Sequence, residues 1–228
     1  MKKILLLHGA IGASQQFNVL QKELSKNYEV HTLNFSGHGG EPFNANGFSI
    51  TAFADEVLAY LDKNNIDSIN IFGYSMGGYV GAYIAKYHPQ RIEKLITLAT
   101  KFHWDEPTAA KESAMLDSDK LQQKVPAFAK ALEERHALND WVEVLSKTKT
   151  MLQQMGTNNP LKIEDYATID TPITVLLGDR DKMVTLDETV AIYKALPNAQ
   201  MGMLTNCHHP IEQANIPQLS FIINQVIG

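Results

Sequence analysis

The chain has 228 residues, 44% of them hydrophobic, enough to bury one sizeable core without disulfide or metal staples. Its net charge of −5 arises from 20 basic and 25 acidic residues spread without long runs, so no electrostatic footprint for nucleic acid or an anionic membrane is present. Cys207 is the only cysteine; no intrachain disulfide can form, its thiol reads as a small packing group, and a reducing, cytoplasmic setting is expected.

The N-terminal Met1-Lys2-Lys3 followed by Ile4 to Leu7 imitates a signal peptide, but the apolar run stops after four residues at His8-Gly9 and reads as a buried strand over 3–7. A helical pattern over 14–26 leads to a strand at 29–34. A helix over 50–64 then precedes a strand at 68–72, and a helix over 78–88 precedes a strand at 94–99. From 103 to 165 the strand rhythm stops. Only helical candidates remain there, such as 120–137 and 140–154, with Pro126 placed to open a helix. The rhythm resumes with a strand at 173–177, a helix over 186–196, a strand at 201–204 and a helix over 216–227. That last helix sets Leu219, Ile222, Ile223 and Val226 on one face.

Short apolar runs alternating with amphipathic helices predict an α/β fold of six mostly parallel strands flanked by helices. About sixty residues inserted after a strand cannot be a bare loop. The expected organisation is therefore a core formed by 1–102 and 166–228, with 103–165 as a helical cap over the C-terminal ends of the strands, where ligands of open α/β sheets bind. No stretch approaches the length of a membrane span.

The pentapeptide Gly73-Tyr74-Ser75-Met76-Gly77 stands between an apolar strand and a helical pattern. A strand that turns at once into a helix strains the turn residue, and small neighbours on both sides let the flanking backbones approach. That is the context of a nucleophile elbow, which exposes Ser75 above a helix N-terminus able to stabilise an oxyanion. A serine hydroxyl needs a histidine base oriented by a carboxylate. Two later strand ends supply candidates: Asp179 and Asp181 in Gly178-Asp179-Arg180-Asp181, and His208 and His209 before Pro210. Other histidines (His31, His88, His103, His136) show no metal-ligand spacing, and no glycine-rich phosphate loop supports a nucleotide cofactor. No cofactor is expected, and no cluster of Arg or Lys is apparent near these motifs to hold an anionic substrate.

These motifs together resemble the α/β-hydrolase superfamily. The turn His8-Gly9-Ala10-Ile11-Gly12 is similar to the family's first glycine-rich turn, which implies that the backbone N–H groups of Ala10 and Met76 form the oxyanion hole and that His8 is structural. Ser36-Gly37-His38-Gly39-Gly40 resembles its structural Gly-His-Gly loop. The family's Gly-x-x-Asp-x-x-Val motif matches Gly178, Asp181 and Val184, implying Asp181 as the acid and Asp179 as a turn residue. Its usual spacings, about twelve residues from Pro197 and 28 from Asp181, imply His209 as the base, with His208 the alternative through its His-x-Pro pattern. The resemblance also implies a trimmed sheet lacking two N-terminal strands, with one bare edge. The implied activity is hydrolysis of a carboxylic ester or related acyl bond on a small-molecule substrate. The same fold also hosts carbon-carbon bond hydrolases and lyases, and weakly catalytic ligand receptors.

Overall fold

The computed structural model describes all residues, 1–228. Its centre is a six-stranded, wholly parallel sheet in the order β2-β1-β3-β4-β5-β6. The strands are β1 (Lys3–Leu7), β2 (Glu29–Leu33), β3 (Ile69–Tyr74), β4 (Ile92–Leu98), β5 (Ile173–Gly178) and β6 (Ala199–Leu204). Each lies within a few residues of its expected position. β2, with its residues exposed or half-buried, occupies one edge.

Side-chain alternation along the strands divides the interior into two layers. Leu5 and Leu7 of β1 point into one layer and Ile4 and Leu6 into the other, all four fully buried. The first layer is closed by α2 (Ile50–Lys63), α3 (Met76–Tyr87) and α9 (Leu186–Ala195), through residues such as Phe53, Val80 and Ile192. The second is closed by α1 (Asn18–Leu24) and α10 (Ile216–Ile227), through Leu20, Leu24, Leu219 and Ile223. Each such fully buried side chain contributes roughly 2 kcal/mol. This two-sided burial explains why the central strands read as continuous apolar runs rather than alternating ones.

Between β4 and β5 the chain forms α4 (Glu106–Ala114), α5 (Ser118–Lys124), α6 (Pro126–Arg135), α7 (Trp141–Thr157) and α8 (Ile163–Tyr166). Asp105, Asp117 and Asp140 cap α4, α5 and α7, each accepting a backbone N–H in the first turn. The helical stretch expected over 120–137, with Pro126 opening a helix, is divided at that proline into α5 and α6. Pro126 cannot continue the hydrogen-bond ladder of α5 and instead opens α6. α4 escaped the sequence reading because its apolar periodicity is weak, only Ala109, Glu112 and Ser113 being buried. Val144, Met151, Leu152 and Met155 of α7 join the first sheet layer, whereas Ala129 and Leu132 of α6 pack with Trp141 and Leu145 in a separate small cluster.

Candidate active site

Ser75 sits where β3 turns into α3, at φ 51° and ψ −118°, a conformation unfavourable for a side-chain-bearing residue. Its neighbours make that turn possible. A Cβ on Gly73 would lie 2.5 Å from the Gly77 carbonyl oxygen and the Gly78 backbone, and one on Gly77 would strike the Leu7 carbonyl. The Ser75 N–H donates to the Leu98 carbonyl at 2.8 Å, and the Thr100 hydroxyl donates to the Ser75 carbonyl at 3.0 Å. The elbow is thus held from β4.

Met76 is the first residue of α3, so its N–H has no carbonyl one turn earlier to pair with. Across from it, the N–H of Ala10 donates to no protein acceptor. Both residues line the cavity that contains Ser75. The loop bearing Ala10 is fixed at the next residue: Ile11 has φ 51°, and its carbonyl accepts from Arg135 Nη1 and His136 Nε2, each at 3.1 Å. Both donors come from the end of α6, and neither was assigned to the site from sequence. His8, fully buried, supports the loop below. Its Nε2 accepts the Phe35 N–H at 3.1 Å, so its Nδ1 carries the proton given to the Gly9 carbonyl at 2.8 Å.

Asp181 and His209 meet at the ends of β5 and β6. Nδ1 of His209 donates to Asp181 Oδ2 at 2.8 Å, while Asp181 Oδ1 accepts the N–H groups of Met183 and Val184 at 2.8 and 2.9 Å. The Asp181 side chain is fully buried and that of His209 is 13% exposed. Burial works to raise the Asp181 pKa, but the hydrogen bond and charge of His209 and the two backbone donors outweigh it and hold the carboxyl below its ordinary value. With Nδ1 engaged, Nε2 is the free nitrogen of His209, and His209 lines the same cavity as Ser75.

The neighbouring candidates stand elsewhere. His208 is exposed. Asp179 accepts the Cys207 N–H at 3.0 Å, and the Arg180 N–H donates to the Cys207 carbonyl at 3.0 Å, so this turn ties the β5 loop to the histidine-bearing loop. Cys207 is buried there, and burial followed by the charges of Asp181 and Asp179 pushes its thiol pKa up. His38 and His136 form a buried line with His8, at ring distances of 5.1 and 5.6 Å.

Two cavities meet at Ser75, of about 80 Å³ and about 370 Å³. Ala10, Ser75, Glu112, Leu152, Met183 and His209 line both. Trp104, Met151 and Met155 form an apolar wall of the smaller one; Met115, Leu116 and Phe128 belong to the larger. Single cations, not a cluster, reach this region. Lys101 lines the smaller cavity and Arg135 the larger, but each is engaged with carboxylates, Lys101 with Glu188 at 3.2 Å and Arg135 with Glu212 at 3.0 Å. No group of three or more His, Cys, Asp or Glu side chains could hold a metal ion. No helix is long and apolar enough to cross a membrane.

A family model described as alpha/beta hydrolase fold matches residues 2–145. The chain is 35% identical over 100 residues to a pimeloyl-[acyl-carrier protein] methyl ester esterase of Neisseria meningitidis, covering 44% of this chain and 37% of that protein. It is 29% identical over 97 residues to the protein of the same name from Salmonella heidelberg, covering 42% and 36%. The matched stretch thus spans little more than a third of the curated relatives' length. Among solved structures, a hydrolase from Pseudomonas aeruginosa is similar with a TM-score of 0.80 and 17% identity, over 100% of this chain and 90% of that one. The enol-lactonase from Burkholderia xenovorans is similar with a TM-score of 0.75 and 20% identity, over 99% and 90%. At such identities the likeness is one of fold.

Proposed function

We propose, for a chain that belongs to the alpha/beta hydrolase fold family, a serine hydrolase that cleaves a carboxylic ester or a related acyl bond. The observation that carries this reading is the Asp181–His209 hydrogen bond of 2.8 Å, placed on the same cavity as an elbow serine at φ 51°. The esterase names of the partial relatives support the choice of an ester.

In this reading Ser75 Oγ attacks the substrate carbonyl while His209 Nε2 takes its proton. Asp181 stays ionised, fixes the tautomer with the proton on Nδ1, and stabilises the imidazolium that forms. The N–H groups of Ala10 and Met76 receive the developing oxyanion, which costs no reorganisation because their partners are already absent. His209 then returns the proton to the leaving alcohol, and water, activated by the same imidazole, releases the acyl group from Ser75. The helices within 103–165 act as a cap that shapes the substrate cavity, with Trp104, Met151 and Met155 providing an adaptable apolar wall.

The test is covalent. A fluorophosphonate probe is expected to label the wild-type chain at Ser75 and to leave Ser75→Ala unlabelled. Full labelling of the Ala variant would remove Ser75 from this role.

A further inference from the structure

Glu112 is only 5% exposed, yet it receives no hydrogen bond. It lies on α4, whose inner face packs against α7, and its carboxylate stands 3.8 Å from the Lys101 ammonium, beyond hydrogen-bond reach. Lys101 gives its own hydrogen bonds to Glu188, at 3.2 and 3.5 Å. A largely buried carboxylate that accepts no hydrogen bond is under-satisfied, and the ammonium it faces at 3.8 Å compensates only part of the water it has lost. Glu112 also lines both cavities that meet at Ser75. The three side chains Glu112, Lys101 and Glu188 together carry a formal charge of −1, so the surplus on this wall is negative.

From these observations we infer that Glu112 is a substrate-recognising residue, whose carboxylate accepts a hydrogen bond from a hydroxyl or ammonium group carried on the acyl chain of the ester. The inference rests on the hydrolase reading of Ser75 and adds the substrate class to it. The bound substrate would supply the donor that the protein withholds, and a hydrogen bond to an ionised carboxylate that is only 5% exposed is stronger than one at the surface. An apolar ester leaves the carboxylate unpaired, and an anionic ester adds a like charge against it. The Lys101 ammonium does not make this an anion site, because its charge is shared by two carboxylates before any substrate arrives.

The test uses p-nitrophenyl esters of straight acyl chains four to six carbons long, each in three forms: terminal methyl, terminal hydroxyl and terminal ammonium. In the wild-type chain, at the best-fitting length, the hydroxyl and ammonium forms are expected to exceed the matched methyl form in kcat/KM by about tenfold, the range of a hydrogen bond to a charged group. Glu112→Gln is expected to lower the ammonium-to-methyl ratio by about tenfold, since charge is lost and shape is kept. Glu112→Leu is expected to abolish both advantages and to raise turnover of the methyl form. Equal rates for all three forms at every length, or a donor advantage that survives Glu112→Leu, overturn the inference. Circular dichroism checks that each variant is folded, and if the Leu variant is not, the ratio read from the isosteric Gln variant decides. Fluorophosphonate labelling separates the two levels. A labelled Ser75 without donor preference defeats this inference alone, whereas an unlabelled Ser75 defeats the hydrolase reading and this one with it.

Discussion

His136 donates from Nε2 to the carbonyl of Ile11 at 3.1 Å, joining the end of α6 to the loop that carries Ala10. The direction of this bond is settled by the other ring nitrogen, since Nδ1 accepts the Gly39 N–H at 3.1 Å and so cannot hold the proton. Arg135 Nη1 reaches the same carbonyl. Two donors from the inserted helices therefore set the conformation of a residue at positive φ, one position after a proposed oxyanion donor.

This arrangement makes Arg135 a positioning residue. Arg135→Ala is expected to lower kcat about tenfold while leaving KM nearly unchanged, because a displaced Ala10 N–H weakens the transition state more than the bound ester. Arg135→Lys should recover part of the loss, as one donor to Ile11 can be rebuilt. Steady-state kinetics on a neutral ester check this; a rise in KM alone would show that Arg135 touches substrate instead.

The neighbouring candidates should separate sharply. His209→Ala and Asp181→Asn are each expected to reduce acyl transfer by about 10⁴-fold, the loss seen when a triad member or its tautomer control is removed. His208→Ala should leave the rate nearly intact, since that ring is exposed. Asp179→Asn should weaken the turn it ties to Cys207 and lower stability slightly, with a small effect on rate. Parallel rate and denaturation measurements on the four variants would expose any exchange of roles.

Stability should depend on the buried histidines. Burial is the main cause that lowers the pKa of His8 and of His136 from an ordinary 6.5 to about 4, and His38 lies well below its ordinary value for the same reason. The unfolded chain therefore binds more protons than the folded one between about pH 6.5 and 4. The stabilisation is fully present above the unfolded value and is lost as pH falls through that window. Thermal midpoints measured from pH 7 to 4 should decline by several degrees. His136→Gln should reduce the slope, and an unchanged slope would contradict neutral burial of that ring.

The elbow glycines differ in kind from a surface glycine. Gly77→Ala drives a Cβ into the Leu7 carbonyl and is expected to destabilise by more than about 3 kcal/mol. Gly47→Ala, at φ 75° with nothing within 4 Å of the new methyl, should cost only about 1 kcal/mol of backbone strain. Urea denaturation of the pair checks whether steric contact or backbone conformation dominates at the elbow.

The sheet was legible because its signals are local. Four-residue apolar runs such as Ile4 to Leu7, and helix faces such as Leu219 and Ile223, report burial through periodicity alone. Ser75 was legible for the same reason, since strand, strained turn and helix lie within one short segment. The choice between adjacent residues was not local. His208 and His209 share a neighbourhood in sequence, and only the path of the loop after β6 sets one against Asp181 and leaves the other in solvent. Arg135 and His136 lie 124 and 125 residues from Ile11, and Lys101 lies 87 from Glu188, so no periodicity or motif could announce those pairs. Local sequence determined where this protein makes strands, helices and its sharp turn, because backbone sterics and amphipathicity act over a few residues. Tertiary structure alone decided that Lys101, Glu112 and Arg135 line the cavities at Ser75, because electrostatic partners are selected by distance in space and by the removal of water, neither of which a linear order encodes.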